Sequence, residues 1–349
     1  MDIFRKSFDA FYDIIKPIVF SLTKTDPEKA HELFIGFCRT LHAFKLEGLV
    51  LDNSANRLNP GFKISNAAGF NKNGEISPSV LKYLGFDRVV IGTVTYDEWK
   101  GNSRPRIRRY HKTESLVNWM GLPGIGAREI AEILYNYGNH RVPLTINLMS
   151  TPGKKGDDLL RDLEKTVFAL REVPYVNRFE LNVSCPNTKD SQGGLDARRE
   201  YQKQVRAMRK TVRENMLSEQ ELWEKESPDL NETDIDYLLE DADDLIDGLT
   251  LTNSTTRHDS RYIPYSPGKG GASGDAVYES SLKTQRLFYG KIQKSGSKLK
   301  IIVCGGIKSP ERLQERISFG ATEIQVYTPI IFSGTKLLRE FRSQSAQSG

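Results

Sequence analysis

The residue of this 349-residue sequence that is best suited to act in a chemical reaction is a cysteine that follows a predicted strand. Cys185 lies in the segment Leu-Asn-Val-Ser-Cys-Pro-Asn-Thr, where a proline restricts the backbone and the amides of Asn182 and Asn187 are close in sequence. A thiol in such a setting can act as a base or as a nucleophile. A lone cysteine in an apolar pattern is more often an inert core residue, which is our interpretation of Cys38 and Cys304.

A pair of glycines after a later strand indicates an anion site. The segment Val-Cys-Gly-Gly-Ile leaves the backbone N–H groups of Gly305 and Gly306 available, and a helix that begins nearby favours negative charge. One helix later, Ile-Gln-Val-Tyr-Thr places Tyr327 and Thr328 after the next strand. Adjacent strand ends of this kind form the usual phosphate site of barrels that bind phosphate. The alternative is an ordinary tight turn between a strand and a helix.

Other strand ends carry residues suited to a flat, polar ligand. Small residues at Ala68 and Gly69 permit close approach of the backbone, and Lys72 supplies a positive charge. The hydroxyls of the Gly-Thr-Val-Thr segment at 92–95 can bond a ring edge, and the amide of Asn118 can donate and accept. The alternatives are a glycine-containing loop with a surface lysine and, for the arginines of the Ser-Arg-Pro-Arg segment, structural ion pairs.

These residues need a scaffold that brings strand ends together, and eight short runs separated by helical patterns predict one. A parallel (β/α)8 TIM barrel fits this alternation and places chemistry at the carboxyl ends of its strands. The fifth run, Glu-Leu-Trp-Glu-Lys, is also compatible with a continued helix. The competing fold is a doubly wound open sheet, but no GxGxxG opens a first βα unit. The predicted strands lie near 63–68, 88–93, 144–148, 178–184, 221–225, 247–253, 300–305 and 323–328.

The first 48 residues predict a helical extension, so that the expected domains are 1–48 and 49–349. Aromatic and aliphatic residues recur there at helical spacing among basic ones. A second helix should have Asp26 as its N-cap and Pro27 as its first residue. The acidic stretch at 206–247 predicts solvated helical faces and a loop. The expected apolar face of the second helix comprises Leu33, Phe34, Phe37, Cys38 and Leu41.

Composition excludes several classes of protein. The net charge of +5 is spread along the chain, which does not indicate a nucleic-acid partner. The three cysteines are far apart and lack CxxC spacing, so neither a disulfide framework nor a structural zinc site is expected. The five histidines show no metal-ligand spacing, and we expect no metal. No run reaches the roughly 18 apolar residues of a membrane span. These features predict a soluble protein of the reducing cytoplasm.

The motifs together resemble dihydroorotate dehydrogenases from about residue 20 to about residue 340. The segments that carry the resemblance follow the family's order and spacing, so the set is specific. They are Ala-Ala-Gly-Phe-Asn-Lys-Asn-Gly-Glu (67–75), Ile-Gly-Thr-Val-Thr (91–95), Leu-Val-Asn-Trp-Met-Gly (116–121), Asn-Val-Ser-Cys-Pro-Asn-Thr (182–188), Ser-Pro-Asp-Leu (227–230), Leu-Thr-Asn-Ser-Thr (251–255), Gly-Gly-Ala-Ser-Gly (270–274) and Cys-Gly-Gly-Ile (304–307).

The resemblance implies an FMN enzyme that oxidises dihydroorotate to orotate in the biosynthesis of UMP. By matching position, Cys185 is the base that removes the C5 proton of the substrate while the C6 hydride passes to flavin. The residues assigned to the cofactor are Ala68, Gly69, Lys72, Thr93, Asn147, Asn182, Lys225, Thr252, Gly274, Gly305, Gly306, Tyr327 and Thr328. Those assigned to the substrate are Lys72, Asn118, Trp119, Met120, Gly121, Leu122, Asn182, Asn187 and Asn253.

Two features of the resemblance indicate different electron acceptors. The N-terminal extension resembles the membrane-associated class, which reduces quinone and normally uses serine as its base. Cys185 instead resembles the soluble class, which reduces fumarate or NAD and lacks the extension. We give the extension more weight, because the acceptor depends on what reaches the flavin. We therefore expect quinone as acceptor and a cytoplasmic protein bound peripherally to the membrane surface. The alternatives are a soluble-type dihydroorotate dehydrogenase and a related FMN dihydropyrimidine oxidoreductase.

Overall fold

Eight parallel strands form a barrel in the computed structural model, which describes residues 2–51, 61–183 and 195–345. In the order of the sheet, the strands are β1 (Lys63–Asn66), β11 (Ala321–Val326), β10 (Lys300–Cys304), β8 (Gly248–Leu251), β7 (Glu221–Glu226), β6 (Val176–Leu181), β5 (Leu144–Leu148) and β2 (Val89–Val94). A parallel bridge between Ser65 and Arg88 joins the two ends of the sheet. The predicted (β/α)8 barrel is thus confirmed, and the doubly wound alternative is wrong.

Helices surround the barrel because each presents an apolar stripe to the outer faces of the strands. In α6 (Gly156–Leu170), four aliphatic residues recur at helical spacing and are all buried: Leu159, Leu163, Val167 and Leu170. The strands are buried on both faces, as expected where helices cover a parallel sheet. The helices of this layer are α4 (Pro78–Leu84), α5 (Ala127–Asn136), α6 (Gly156–Leu170), α7 (Leu195–Asn215), α8 (Glu232–Leu239), α9 (Ala242–Leu245), α10 (Asp275–Ser295), α11 (Pro310–Ser318), α12 (Thr328–Ser333) and α13 (Lys336–Ser345).

A second, three-stranded antiparallel sheet lies beside the mouth of the barrel. It consists of β3 (Ile107–Tyr110), β4 (Ser115–Asn118) and β9 (Gly271–Gly274), in the order β3-β4-β9. Its register pairs Asn118 with Gly271 and Ser115 with Gly274. The segments that follow β2 and β8 are therefore joined, and both contribute to the mouth.

The N-terminal extension consists of α1 (Asp2–Leu22), α2 (Glu28–Ala43) and α3 (Glu47–Val50). Helix α1 is attached to the carboxyl-terminal part of the chain: the hydroxyl of Tyr12 donates to the carbonyl of Ile331 at 2.7 Å, and Lys16 Nζ donates to the carbonyl of Phe332 at 2.7 Å. These bonds place the extension against the segment that follows β11.

Helix α2 differs from its prediction at its start and on part of its face. The helix begins at Glu28, and Pro27 occupies the cap position without a side-chain cap, so the prediction that Asp26 is the N-cap is wrong. The Asp26 carboxylate instead binds Arg104 at 2.8 Å. Of the predicted apolar face, Cys38 and Leu41 are buried and two phenylalanines are partly buried. Leu33 is 60% exposed, which contradicts its assignment to that face.

The charged fifth run is a strand, and part of the acidic region around it is buried. Glu224 points outward from β7 and binds Arg209 of α7, with Nε to Oε2 at 2.7 Å. Both side chains are almost fully buried, and Arg209 also binds Asp241 at 2.9 Å. The prediction of solvated faces across 206–247 is therefore wrong at these positions, because an ion pair allows a charged strand to pack against a helix.

Candidate active site

A cavity of about 1200 Å³, including its open mouth, lies at the carboxyl ends of the barrel strands. Such a position is where barrel enzymes place their chemistry. The predicted site residues that line it are Ala68, Gly69, Lys72, Thr93, Asn118, Met120, Leu122, Asn182, Lys225, Thr252, Asn253, Gly274, Gly305, Gly306, Tyr327 and Thr328. Cys185 and Asn187 lie outside the described residues. The roles assigned to all of these residues stay predictions.

Three predicted residues do not line this cavity. Trp119 is partly buried and lies beneath the ammonium of Lys269, which is 5.1 Å from the ring centroid. Gly121 has a φ of +72°, and a Cβ there would lie 2.8 Å from Nδ2 of Asn102. Asn147 is fully buried on β5. The first two shape the segment after β4, whereas Asn147 belongs to a polar layer inside the barrel.

Two amides and a hydroxyl form a connected group on the cavity wall. Asn182 Nδ2 donates to Thr93 Oγ1 at 2.9 Å, and Asn253 Nδ2 donates to Asn182 Oδ1 at 2.9 Å. The backbone N–H of Asn253 also donates to the carbonyl of Glu226 at 2.7 Å. The three side chains come from the ends of β2, β6 and β8, so the closure of the barrel is what brings them together. Fixed amides can donate to and accept from a planar ligand with several heteroatoms.

Three glycines form a cradle in another part of the cavity, where side chains would not fit. Gly274, Gly305 and Gly306 have positive φ angles of +77°, +120° and +66°. A Cβ at Gly306 would lie 2.6 Å from the carbonyl of Gly274, and one at Gly274 would lie 2.2 Å from the carbonyl of Glu114. Backbone groups in such a concave turn suit a phosphate, and the hydroxyl of Thr328 lies at the same place. The local sequence already indicated this site, because only glycine tolerates these angles and contacts.

A buried carboxylate organises the layer of the barrel below the cavity. Glu180 of β6 is fully buried and accepts bonds from Asn147 Nδ2 at 2.7 Å and Thr250 Oγ1 at 2.6 Å. It also accepts from Gln325 Nε2 at 2.7 Å, and Lys225 Nζ donates to Gln325 Oε1 at 3.0 Å. The Lys225 ammonium at the cavity is therefore held by a chain of bonds that ends on a carboxylate.

Sequence reasoning missed Glu180 and Gln325, although a signal was present. Both occupy inward positions two residues before a predicted site residue, Asn182 and Tyr327 respectively. A charged or amide side chain in a strand that is buried on both faces requires a polar partner, and for an inward position that partner lies inside the barrel. Cys304, which we interpreted as a core residue, is half-buried and lines the cavity, so that interpretation is wrong. Burial raises the pKa of its thiol.

An aromatic wall, formed by His31 and Phe34 of helix α2 with Phe70 and Tyr327, lies between this helix and the cavity. The ring of His31 lies 5.9 Å from that of Phe70 and 6.2 Å from that of Tyr327, and Phe34 lies 5.7 Å from Phe70. His31 Nε2 is buried without a partner among the described residues, and burial lowers the pKa of the imidazole. The wall therefore joins the extension to the edge of the cavity at Tyr327.

The two arginines of the Ser-Arg-Pro-Arg segment hold helix α2 and do not line the cavity. Arg106 binds Glu28 with Nη2 to Oε1 at 2.8 Å and Nε to Oε2 at 3.0 Å. Arg104 binds Glu32 at 2.6 Å and, as described above, Asp26. Their interpretation as structural ion-pairing residues agrees with these contacts. They fix α2 beside the segment that leads to β3.

The chain is similar to dihydroorotate dehydrogenases in sequence and in fold. The family model described as dihydroorotate dehydrogenase matches residues 56–345. A protein of Acinetobacter baumannii (strain SDF) named dihydroorotate dehydrogenase (quinone) is 31% identical over 341 residues, covering 94% of this chain and 98% of that protein. A relative of the same name from Natronomonas pharaonis is 31% identical, covering 94% and 92%. A crystal structure of DHODH from Eimeria tenella in complex with ferulenol has a TM-score of 0.78 at 22% identity, with 93% of each chain covered.

Proposed function

This chain belongs to the dihydroorotate dehydrogenase family, and we propose that it oxidises dihydroorotate to orotate on bound FMN and passes the electrons to a quinone. The observation that carries the proposal is the single cavity that combines the bonded amides of Asn182 and Asn253 with the glycine cradle and Lys225. The amides suit the ring nitrogens and carbonyls of a dihydropyrimidine. The product, orotate, serves the biosynthesis of pyrimidine nucleotides.

The family implies a flavin cofactor, and the cavity fits FMN in particular. The cradle of Gly274, Gly305 and Gly306 suits a terminal phosphate, while Ala68 and Gly69 at the end of β1 leave room for a flat ring. When bound, a flavin accepts the two electrons that leave the substrate. Within this arrangement Lys225 and Thr252 orient the ring, and Lys72 with Asn118 holds the substrate carboxylate and ring.

Cys185 is proposed as the base that takes the C5 proton of dihydroorotate. An unperturbed thiol titrates near about pH 8.5, so the thiolate fraction grows through the neutral and mildly alkaline range. The rate of flavin reduction should therefore rise toward about pH 8.5. C185A should keep its bound flavin and lose most of that rate. C185S serves as the control, since a hydroxyl should restore part of the rate without the thiol's pH dependence. A flat pH profile in the unsubstituted enzyme contradicts the thiolate base.

The direct test of the reaction is an anaerobic titration. Adding dihydroorotate to the oxidised holoenzyme should bleach the flavin absorbance with a stoichiometry of one, and dihydrouracil at equal concentration should not. Bleaching by dihydrouracil alone would assign the chain to another FMN dihydropyrimidine oxidoreductase. Absence of bleaching by either substrate would refute the proposed reaction.

Quinone is proposed as the acceptor because the extension carries exposed apolar side chains on α1 and reaches the edge of the cavity through α2. Ile14, Ile18 and Leu22 on α1 are 68%, 54% and 79% exposed, a surface suited to the membrane interface. None of the helices in the described part of the chain is both long and apolar enough to cross a bilayer. Peripheral binding on the cytoplasmic side would bring a lipid-soluble acceptor to the edge of the cavity.

The acceptor is tested by competition and by a surface variant. Reoxidation of reduced enzyme should be much faster with a quinone than with fumarate or NAD. I14E/I18E should lose binding to lipid vesicles and turnover with a long-tailed quinone, yet keep turnover with a water-soluble dye. Y265E is the matched control, because Tyr265 is equally exposed on the loop between β8 and β9. Faster reoxidation by fumarate or NAD would replace the proposal with the soluble-type alternative.

A further inference from the structure

Arg316 of α11 is a fully buried guanidinium whose hydrogen bonds all go to neutral oxygens. Its Nη2 donates to the carbonyl of Leu251 at 2.9 Å, to Ser281 Oγ at 2.8 Å and to the carbonyl of Cys304 at 3.4 Å. The Nε and Nη1 atoms are buried and have no partner among the described residues. A buried charge without a countercharge is costly, so such a group requires an explanation.

The other deeply buried arginines bind carboxylates. Arg209 binds Glu224, Arg178 binds Glu323 at 3.0 Å, and Arg342 binds Asp87 at 2.7 Å. The contrast shows that this chain normally neutralises a buried guanidinium within its own fold. Burial lowers the pKa of Arg316 to about 10, which leaves the side chain charged at neutral pH.

Arg316 lies directly behind the glycine cradle. The carbonyl of Cys304 accepts from both Ser281 Oγ, at 2.8 Å, and Arg316, and Cys304 is the residue before Gly305. A Cβ at Gly305 would lie 2.9 Å from the same Ser281 hydroxyl. The guanidinium thus supports the outer side of the turn whose inner side faces the cavity.

Two neighbouring cations, Lys308 and Arg312, differ from Arg316 because each is paired with a carboxylate, although Arg312 Nη1 also donates to the carbonyl of Gly306 at 2.7 Å. Lys308 binds Asp275 at 2.6 Å and Glu114 at 2.7 Å, and Arg312 binds Asp275 at 2.6 Å. Glu315, the acidic residue beside Arg316 in sequence, accepts from Tyr278 and Arg286. Among the buried arginines of the described residues, Arg316 is the one that forms no hydrogen bond or ion pair with a carboxylate.

We propose that Arg316 is the countercharge for the phosphate group of the bound cofactor. The proposal rests on the FMN assignment above and adds a residue that touches the turn from behind. A phosphate monoester carries about −1.5 to −2 charges at neutral pH, and its attraction to a cation is strong where the medium between them is protein and not water. The apoprotein then carries an unbalanced charge that cofactor binding relieves. This electrostatic interaction should strengthen the binding of the phosphate group and leave the binding of the isoalloxazine ring unchanged.

The test compares FMN with riboflavin, which has the same ring and lacks the phosphate. Titration of apoprotein should show that R316M weakens FMN binding at least ten-fold and leaves riboflavin binding unchanged. Thermal unfolding of apo-R316M should occur at a temperature equal to or above that of the unsubstituted apoprotein, because the uncompensated charge is gone. R316K, which keeps the charge, should retain most of the preference for FMN.

R342M is the matched control, because Arg342 is also a buried arginine but has its own carboxylate partner, Asp87, in the turn before β2. It should lower the unfolding temperature of the apoprotein and leave the ratio of FMN to riboflavin affinity unchanged. If R316M does not fold, R316Q gives the same ratio with an uncharged amide in place. Equal weakening of both ligands, or no weakening of either, overturns the proposal. A chain that binds both flavins but does not oxidise dihydroorotate refutes the proposed reaction. The ratio of FMN to riboflavin affinity then still tests the role of Arg316.

Discussion

The two ends of the barrel interior use the same strands but balance their charges in different ways. Along the inward face of β6, Arg178 lies at the amino end, Glu180 in the middle and Asn182 at the mouth. At the amino end, Arg178 binds Glu323 and Glu221 and lies 4.3 Å from the ring centroid of Trp223. At the mouth, neutral amides, hydroxyls and backbone turns line the cavity together with Lys72 and Lys225, no carboxylate of the described residues lines it, and the charge of Arg316 lies behind the cradle.

This difference in how charges are balanced indicates that the amino end of the barrel stabilises the fold and that the mouth binds ligands. Charges at the amino end are satisfied within the chain, so a ligand there would have to replace existing ion pairs. At the mouth, fixed donors and acceptors line a cavity, and binding adds partners. Barrels commonly divide stability and chemistry between their two ends in this way. Each substitution below should therefore act mainly on stability or mainly on ligand chemistry, and a large effect on both would contradict the comparison.

The largest effect is expected from E323Q at the amino end. Glu323 is almost fully buried and accepts from Arg178 at 3.0 Å and from Ser65 Oγ at 2.8 Å, with Arg88 at 3.6 Å. Removing the carboxylate leaves two buried guanidinium groups without it, which should lower the free energy of unfolding by about 3–5 kcal/mol. Chemical denaturation measures the loss. The folded variant should reduce flavin at the normal rate, and a slow reaction with normal stability would contradict the division.

The next effect, on chemistry, is expected from N182A at the mouth. The substitution removes the acceptor of Asn253 and the donor to Thr93, so the substrate-binding amides lose their fixed orientation. We expect flavin reduction by dihydroorotate to slow about 100-fold, since misplaced groups cost that much in oriented reactions. Stability should change by about 1 kcal/mol. Asn177 on the same strand offers the control: it accepts from Arg88 at the amino end, and N177A should leave the rate of flavin reduction intact.

A smaller effect is expected in the middle layer of the barrel, where E180Q should change the reduction potential of the flavin more than the stability of the fold. Glutamine fills the same space but removes the negative charge that stands behind Gln325 and Lys225. Reduced flavin gains negative charge, so loss of a nearby carboxylate should raise its two-electron midpoint potential. We expect a rise of about 30 mV, equivalent to about 1.4 kcal/mol. Spectroelectrochemical titration measures it, and an unchanged potential would place Glu180 among the purely structural residues.

Much of the fold and part of the site follow from local sequence, and the reasons are physical. Apolar runs between helical patterns predict parallel strands, and the glycines at 305 and 306 predict a cradle because of their backbone requirements alone. The charged run of β7 is a strand, which is one of the two interpretations that its sequence allows, and Arg209, the partner that makes its charge tolerable, lies in α7. Signals of this kind are local, so a single sequence contains them.

The remaining features depend on which distant segments meet. The sheet that pairs Asn118 with Gly271 joins residues more than 150 positions apart, and neither segment predicts the other. Arg312 and Arg316 lie one turn apart in the same charged helix, yet one binds Asp275 and the other is buried behind the cradle. Which of the two arginines is buried depends on the face that the helix turns toward the barrel, and the charge pattern of the sequence does not predict that face.

The smallest effect should come from E226Q. It tests whether a residue contributes to stability or to ligand binding because of its position along the strand or because of the direction of its side chain. Glu226 ends β7 at the level of the mouth but belongs to the outward set, beside Glu224. Burial and the neighbouring Glu224 carboxylate raise its pKa well above the usual range. One of its oxygens, Oε1, has no partner among the described residues.

The pH dependence of stability gives E226Q a defined sign. Glu226 keeps its proton in the folded protein at pH values where the unfolded chain, with a pKa near about 4.3, has lost it. Its contribution to stability therefore falls as pH rises above that value. Glutamine resembles the protonated form at every pH, so E226Q should be more stable than the parent by roughly 1 kcal/mol at pH 8, or about 2 °C, and equal to it near pH 4. E224Q, which removes the partner of Arg209, should instead be less stable at both pH values. If E226Q slowed flavin reduction while leaving this pH dependence unchanged, height along the strand, and not the face, would define the binding end.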